Sequence, residues 1–452
     1  MGSGASALGG GEAGVLRVAR AHFIKAFKLQ SADNFDGAEE QYSESLMLDP
    51  TNALAHYNLA SLLKNVRNDH VGAAREYGEA LRLDPSLADA HVNLGLILNS
   101  SEDFDGAERE FSEALALDPD HAVAHSSLGH LLKNVRNDID AAEKAYREAV
   151  RVDPENAIAH NNIGHLLRTG RNDVDAAERE YRIAMSIDPR ADAYNNLGII
   201  HKNMQSMDKA EAEYRSALNI SSKHAIAHAN LGALLQHERQ DFDGAEREFR
   251  EAIEADVSLA LAHNNLGALL HNVRQDFDGA EQEYLEAIKL DPDNSCARLN
   301  LGLLLNDVRK DFDGAEFEFR EALRINPDDA DGHNNLGLLL KNARNDIDGA
   351  KFELREAIRL NPNHAIAHAN LGTLLMKDVR RDFDAAEREF REALRIHPEF
   401  VMAHCKLGLL LKKRKDLEGA RAALREAIRL APELAAAKKG LASLESPVGC
   451  AD

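Results

Sequence analysis

Nine asparagines share one register along the chain: Asn58, Asn93, Asn162, Asn196, Asn230, Asn265, Asn300, Asn335 and Asn370. Each stands two residues before a glycine or, in the first case, before Ala60. A side-chain amide both donates and accepts, so a column of them can pair with the N–H and C=O of an extended peptide. Such a column would read backbone and not sequence. The simpler alternative is that each asparagine only bonds neighbouring helices. Six residues further on come Lys64, Lys133, Arg168, Lys202, His271, Lys341 and Lys412. On a helix this spacing keeps them near the side of the asparagines.

Other recurrent groups suggest chemistry less well. Histidines recur at His56, His91, His125, His160, His228, His263, His333, His368 and His404. Neighbouring ones fall on different helices, roughly 8–10 Å apart, too far to converge on one metal ion. They are expected to pack between repeated units. The string DFDGAE recurs at 103–108, 241–246, 276–281 and 311–316. Around Gly244 a calcium loop would put Arg239 and Arg250 at its first and last ligand positions, where oxygen donors are needed. The acids therefore read as helix starters, with Asp243 the expected N-cap and Glu246 its capping-box partner. GGGEAG at 9–14 has neither a strand before it nor an α/β unit after it and reads as leader. No nucleophile–base arrangement stands apart from the recurrent register, so no catalytic residue, metal or cofactor is expected.

Composition narrows the function classes. Lys and Arg number 54 against 76 Asp and Glu, a net charge of −22. That balance argues against a nucleic-acid partner, which needs a basic face. Cys296, Cys405 and Cys450 are far apart, which points to a reducing compartment and to no disulfide framework. No apolar run approaches the roughly 18 residues of a membrane span, and no secretory signal opens the chain. A cytoplasmic location is expected. MGSGAS does match a myristoylation signal at Gly2, and acylation there would be the one route to a membrane.

The elements that must hold these side chains follow from one period. Pro50, Pro85, Pro119, Pro154 and Pro189, then Pro292, Pro327, Pro362, Pro398 and Pro432, are mostly 35 residues apart, with Ser222 and Val257 in register between. Twelve residues before each mark stands an alanine, from Ala38 to Ala420. Four residues after it comes an aromatic ring, with Leu354 and Leu424 the exceptions. Upstream, glycines such as Gly95 and Gly198 follow an Asn-Leu pair, with Gly129 after Ser-Leu and Gly408 after Lys-Leu in the same register. The spacing predicts two antiparallel helices per unit, Gly on the first close to Ala on the second, and Pro ending the pair. Each hairpin leaves an apolar side for the next to cover.

This pattern of Gly, Ala, aromatic, Ala and Pro resembles the tetratricopeptide repeat family, across residues 17–432. Two departures stand out: most units carry an extra residue between their helices ("KNVRND"), and His replaces the family's Trp. The RNA-binding pentatricopeptide family also has a 35-residue unit, but the paired alanines and the acidity favour the former. The resemblance implies an all-α, right-handed α-solenoid superhelix of about twelve hairpins plus a C-terminal capping helix. Residues 1–13 are expected to be leader, 14–432 the solenoid (its first unit degenerate), 433–445 the capping helix and 446–452 a tail. It further implies that first helices line a concave face into which the asparagines point. The column is similar to the asparagine ladder in the repeat superhelix of O-linked N-acetylglucosaminyltransferases. The lysine clamp by which the heat-shock co-chaperone members hold a C-terminal carboxylate is absent. The expected function is a non-catalytic scaffold for extended protein segments, with no small-molecule substrate. The alternative is a targeting arm of a glycosyltransferase whose catalytic domain is not in this chain.

Overall fold

A computed structural model describes residues 8–377 and 382–445. Gly2 and the expected tail 446–452 lie outside the described residues. The chain divides into two compact units, 1–222 and 223–452. The first holds repeats 1 to 6, from the helix Leu8–Gln30 to the helix Met207–Ile220. The second holds repeats 7 to 12, from Ala225–Leu234 to Leu417–Leu430, followed by a further helix at Ala435–Glu445. No strand occurs among the described residues. Each unit is an α-solenoid stack of helical hairpins. The first helix of the chain begins at Leu8, inside the stretch expected to be leader, and so enlarges repeat 1.

The core is built as the period requires, with one refinement. The aromatic ring does not merely fill space beside the glycine; it lies on it. A Cβ on Gly198 would sit 2.6 Å from Tyr214 Cε1, and one on Gly129 2.9 Å from the Tyr146 ring. The missing side chain is thus occupied by the partner helix's ring, and each such ring hides about 150–250 Å². Where the ring is replaced, Leu354 and Leu424 meet Gly337 and Gly408 instead. The marking alanines from Ala38 to Ala420 are fully buried.

The start of the second helix differs from expectation. Asp241, not Asp243, is the N-cap: its carboxylate accepts from the Gly244 N–H at 2.9 Å. Asp243 and Glu246 instead reach the next repeat, where both bond Arg274, Glu246 at 2.9 Å. The same tie joins Asp36 and Glu39 to Arg67, Asp140 and Glu143 to Arg171, and Asp278 and Glu281 to Arg309. A capping box needs Glu at the third helical position, and that place is taken by glycine, so the glutamate is free to cross to the neighbour. The repeated acids serve the cap and the joint between repeats.

The extra residue has a structural expression. Among the described residues, six first helices end in a π turn, at Leu63–Arg67, Leu167–Arg171, Leu235–Arg239, Leu270–Arg274, Leu305–Arg309 and Leu340–Arg344. Widening the last turn absorbs the insertion. The capping aspartate then still reaches the same carbonyl: Asp173 N–H to Leu167 at 2.9 Å with the insertion, Asp103 N–H to Leu98 at 2.9 Å without it. The π-ending Arg lies over the preceding repeat's acids, as do Arg136 and Arg414, whose helices end without a π turn. A residue at positive φ closes each turn, including Gln240 (φ 55°) and Lys310 (φ 59°).

Candidate functional site: the first-helix face

Within each unit, first helices of successive repeats touch one another, as Ala122–Asn134 does with Ala157–Leu166. The asparagines occupy this face, half-buried. They do not share one role. Asn58 and Asn93 donate back to their own helices, to the Leu54 and Asp89 carbonyls at 2.8 and 2.9 Å. Asn196, Asn300 and Asn370 donate to Asn161, Asn264 and Asn334 of the preceding repeat, at 3.3, 2.9 and 2.9 Å. So part of the column already joins helices through its amide hydrogens, which leaves the amide oxygens of that trio for a ligand's donors. Asn335 accepts from Asn334 at 3.4 Å. Asn162 borders two clefts, Asn230 is engaged within the chain, and Asn265 is half-buried beside Asn264.

The basic residues divide as well. Lys64 donates to Asn93 of the next repeat at 2.7 Å, and burial lowers its pKa. Among the described residues, Lys133 bonds only the adjacent Asn134, at 3.1 Å. Arg168 is half-buried, and its Nε is buried with no hydrogen-bond partner. Lys202 is half-buried and Lys341 is engaged within the chain. His271 packs its ring near Phe277 and Tyr284, centroids 5.8 and 6.3 Å away, and burial lowers its pKa.

Two features escaped the sequence reading. An aliphatic residue precedes the asparagine by four in five repeats, and it is about half exposed: Leu54 51%, Ile158 50%, Ile226 46%, Leu261 44% and Ile366 52%. An offset of four places it on the asparagine's side of the helix. Its signal was present in the repeat register, but an apolar residue there looks like core. The second feature is the pair His130 and His165, each directly after the register glycine; no other repeat has histidine there.

The recurrent histidines prove to be latches rather than packing alone. His160 Nδ1 lies 2.6 Å from Glu180 on the second helix, and its Nε2 lies 3.2 Å from the Pro154 carbonyl. His56, His91, His263, His333 and His368 make the same pair of contacts. Both partners are acceptors, and at His368 they hold the ring's pKa above its ordinary value against the opposing effect of burial. In repeat 9 Arg298 replaces the histidine and makes both contacts, to Glu318 at 2.9 Å and to Pro292 at 3.1 Å. A permanent cation thus fills in repeat 9 the place that histidine holds elsewhere.

Hairpins of this geometry, stacked through small residues and presenting a polar first-helix face, define a helical-repeat solenoid. The family model for the tetratricopeptide repeat matches residues 66–122, 135–191, 230–295, 268–330 and 378–435, and a second such model matches 191–224. These matches span more than half of the chain, which belongs to the tetratricopeptide repeat family. A comparison with curated proteins found no match. Among solved structures, the chain is similar to one from the APC/C hetero-tetramer Cut9–Hcn1, with TM-score 0.56, 16% identity and coverage of 94% of this chain and 96% of that one. It also matches yeast Tom70, with TM-score 0.41, 18% identity and 95% of each chain covered. At such identities the likeness to the first concerns the fold.

Proposed function

We propose that the chain is a non-catalytic scaffold that binds extended segments of partner proteins along the concave face formed by its first helices. The observation that carries this reading is the pairing, in repeats 2, 5, 7, 8 and 11, of an exposed aliphatic residue with an asparagine four residues later. Exposed apolar side chains give such a face affinity, and amides satisfy the backbone of an extended segment. The second helices carry the alternating acids, so the first-helix face is the less acidic of the two. That difference suits segments with some negative charge.

The test is photo-crosslinking from the full chain. A benzophenone side chain placed at Ile158 or Ile226 is expected to capture the partner. One placed at Phe352, exposed on a second helix, is expected not to. Capture from Phe352 alone would sink the reading. A variant with Asn196, Asn230, Asn265 and Asn300 all changed to Ala is expected to lose capture while remaining helical; unchanged capture would remove the asparagines from it. The asparagine column also favours a second reading, an arm that selects substrates for a glycosyltransferase on another chain. That reading requires sugar-nucleotide turnover in the purified complex and none in this chain alone.

A further inference from the structure

We infer that repeats 4 and 5 form a site for a compact dianion of the phosphate-monoester class, gripped by Lys133 and Arg168 between His130 and His165. This deepens the scaffold reading and rests on it only for the source of the anion.

The geometry is local to the first unit. His130 and Lys133 lie one turn apart on the first helix of repeat 4, and His165 and Arg168 occupy the same two positions 35 residues later in repeat 5. A cleft of about 180 Å³ opens on this face, lined by His130, Lys133, Asn134, Tyr146, Asn161, Asn162 and His165, with the Arg168 charge near enough to act on Lys133 and His165 from outside that lining. Among the described residues no carboxylate forms an ion pair with any of the four basic groups, in a chain of net charge −22 whose arginines elsewhere are mostly paired. Arg168 Nε is buried without a well-formed hydrogen bond, and its guanidinium stands within reach of the Tyr181 hydroxyl; the buried hydroxyls of Tyr181, Tyr214 and, in repeat 8, Tyr284 also lack a well-formed partner. Buried donors without partners are uncommon and ask for an occupant.

The charge state agrees. Burial first, then Lys133, Arg168 and His130, push His165 down to about 4. Burial and Lys133 lower His130, and burial and Arg168 lower Lys133. The Asn134 amide nitrogen lies 3.0 Å from His130 Nε2 while its oxygen accepts from Lys133, an arrangement that needs an unprotonated ring nitrogen. Two fixed cations held together and two neutral rings make a place where added negative charge relieves repulsion at every group. A carboxylate would neutralise one cation. A phosphate monoester carries close to two charges and three strong acceptor oxygens, enough for an ammonium and a guanidinium fork. Two sources supply this chemistry: a phosphorylated side chain on the bound segment, or a free phosphate ester.

The test uses the full chain with 13C-labelled histidine. Inorganic phosphate is titrated against matched chloride while the His165 ring signal is followed with pH. Saturation is expected to raise the apparent pKa of His165 by more than about one unit. K133Q/R168Q is expected to abolish the response, and R168K to keep part of it, with unchanged helical circular dichroism for both. A phosphoserine peptide binding at least about tenfold tighter than phosphate would place the source on a protein partner. Tighter binding of a free ester would place it on a small molecule, and either result upholds the site. An unmoved His165 signal in phosphate on the order of 10 mM, or a wild-type response in folded K133Q/R168Q, overturns it. Crosslinking from Ile158 reads the scaffold separately, so failure of the anion site leaves that reading intact.

Discussion

Repeats 5 and 8 share their register almost residue for residue, yet one face is basic and the other is packed shut. In repeat 5, His165 and Arg168 follow Gly164, and Arg168 stands by the ring of Tyr181 with its Nε unbonded. In repeat 8, Ala268 and His271 follow Gly267, and the His271 ring lies against Tyr284 and Phe277. Both tyrosines sit on their glycines in the same way. The chassis is therefore indifferent to what stands one and four residues after the glycine, and those places are free to carry chemistry. In the second unit they hold Ala, Leu, Gln, Asn, Met and Thr among others, which present no pair of neighbouring cations.

The comparison breaks most readily at the glycines. Gly198→Ala in the first unit should lower stability by about 1–3 kcal/mol, because the new Cβ meets a rigid ring at 2.6 Å. Gly337→Ala in the second unit meets the flexible Leu354 at 3.0 Å and gains about 1 kcal/mol of helix propensity, so its effect should be near zero. Urea midpoints of the two variants test this; equal losses would show that the ring is not what matters.

Next in size is the effect of phosphate. At about ten times its dissociation constant it should stabilise the repeats it touches by about 1.4 kcal/mol. Hydrogen exchange should then slow in repeats 4 and 5 and stay unchanged in repeats 7 to 12. Slowing in both units alike would mean a general salt effect.

The histidine latches sharpen the comparison within the second unit. Burial opposes charge on His368, but the Glu389 hydrogen bond, the Pro362 carbonyl and the charges of Glu389 and Glu392 outweigh it and raise its pKa above 6.5. A folded value above the unfolded one means that the latch stabilises fully below about pH 6.5 and fades as pH rises through the folded value. His368→Gln should remove that portion of the pH dependence. Arg298→His should add a similar one to repeat 9, where the Arg–Glu318 pair now holds across the range. A pH profile that neither substitution alters would contradict a charged latch.

The smallest effect concerns labelling. Cys296, exposed at the register place of Ile158 and Ile226, should react with maleimide in seconds to minutes, with no change in stability. Cys405, 1% exposed with its thiol pushed up by burial, should react only on unfolding. Bound partner segments should protect Cys296.

Much of the fold was legible because a hairpin's demands are local. Gly, Ala, ring and Pro recur at fixed offsets, and each offset follows from helix geometry and from what a close helix contact tolerates. The cap was misplaced by two residues because DFDGAE holds two aspartates, and only the backbone shows which one has extended φ/ψ and faces a free N–H. The asparagine column was legible as a column; its division into back-bonded, bridging and remaining members was not, since that depends on rotamers and on the neighbouring repeat.

By itself, then, the sequence determined the hairpin, the repeat count and the family, because these rest on periodicity within a few turns of helix. Tertiary structure alone decided three things: that the acids of DFDGAE join adjacent repeats through arginine, that the histidines latch a glutamate and a carbonyl, and that Lys133 lies on a cleft beside Arg168 with no carboxylate paired to either among the described residues. Each depends on distances between residues 20 to 35 apart in the chain, beside the six-residue reach of the histidine to its carbonyl. A repeat fixes where such residues stand; stacking fixes what they touch.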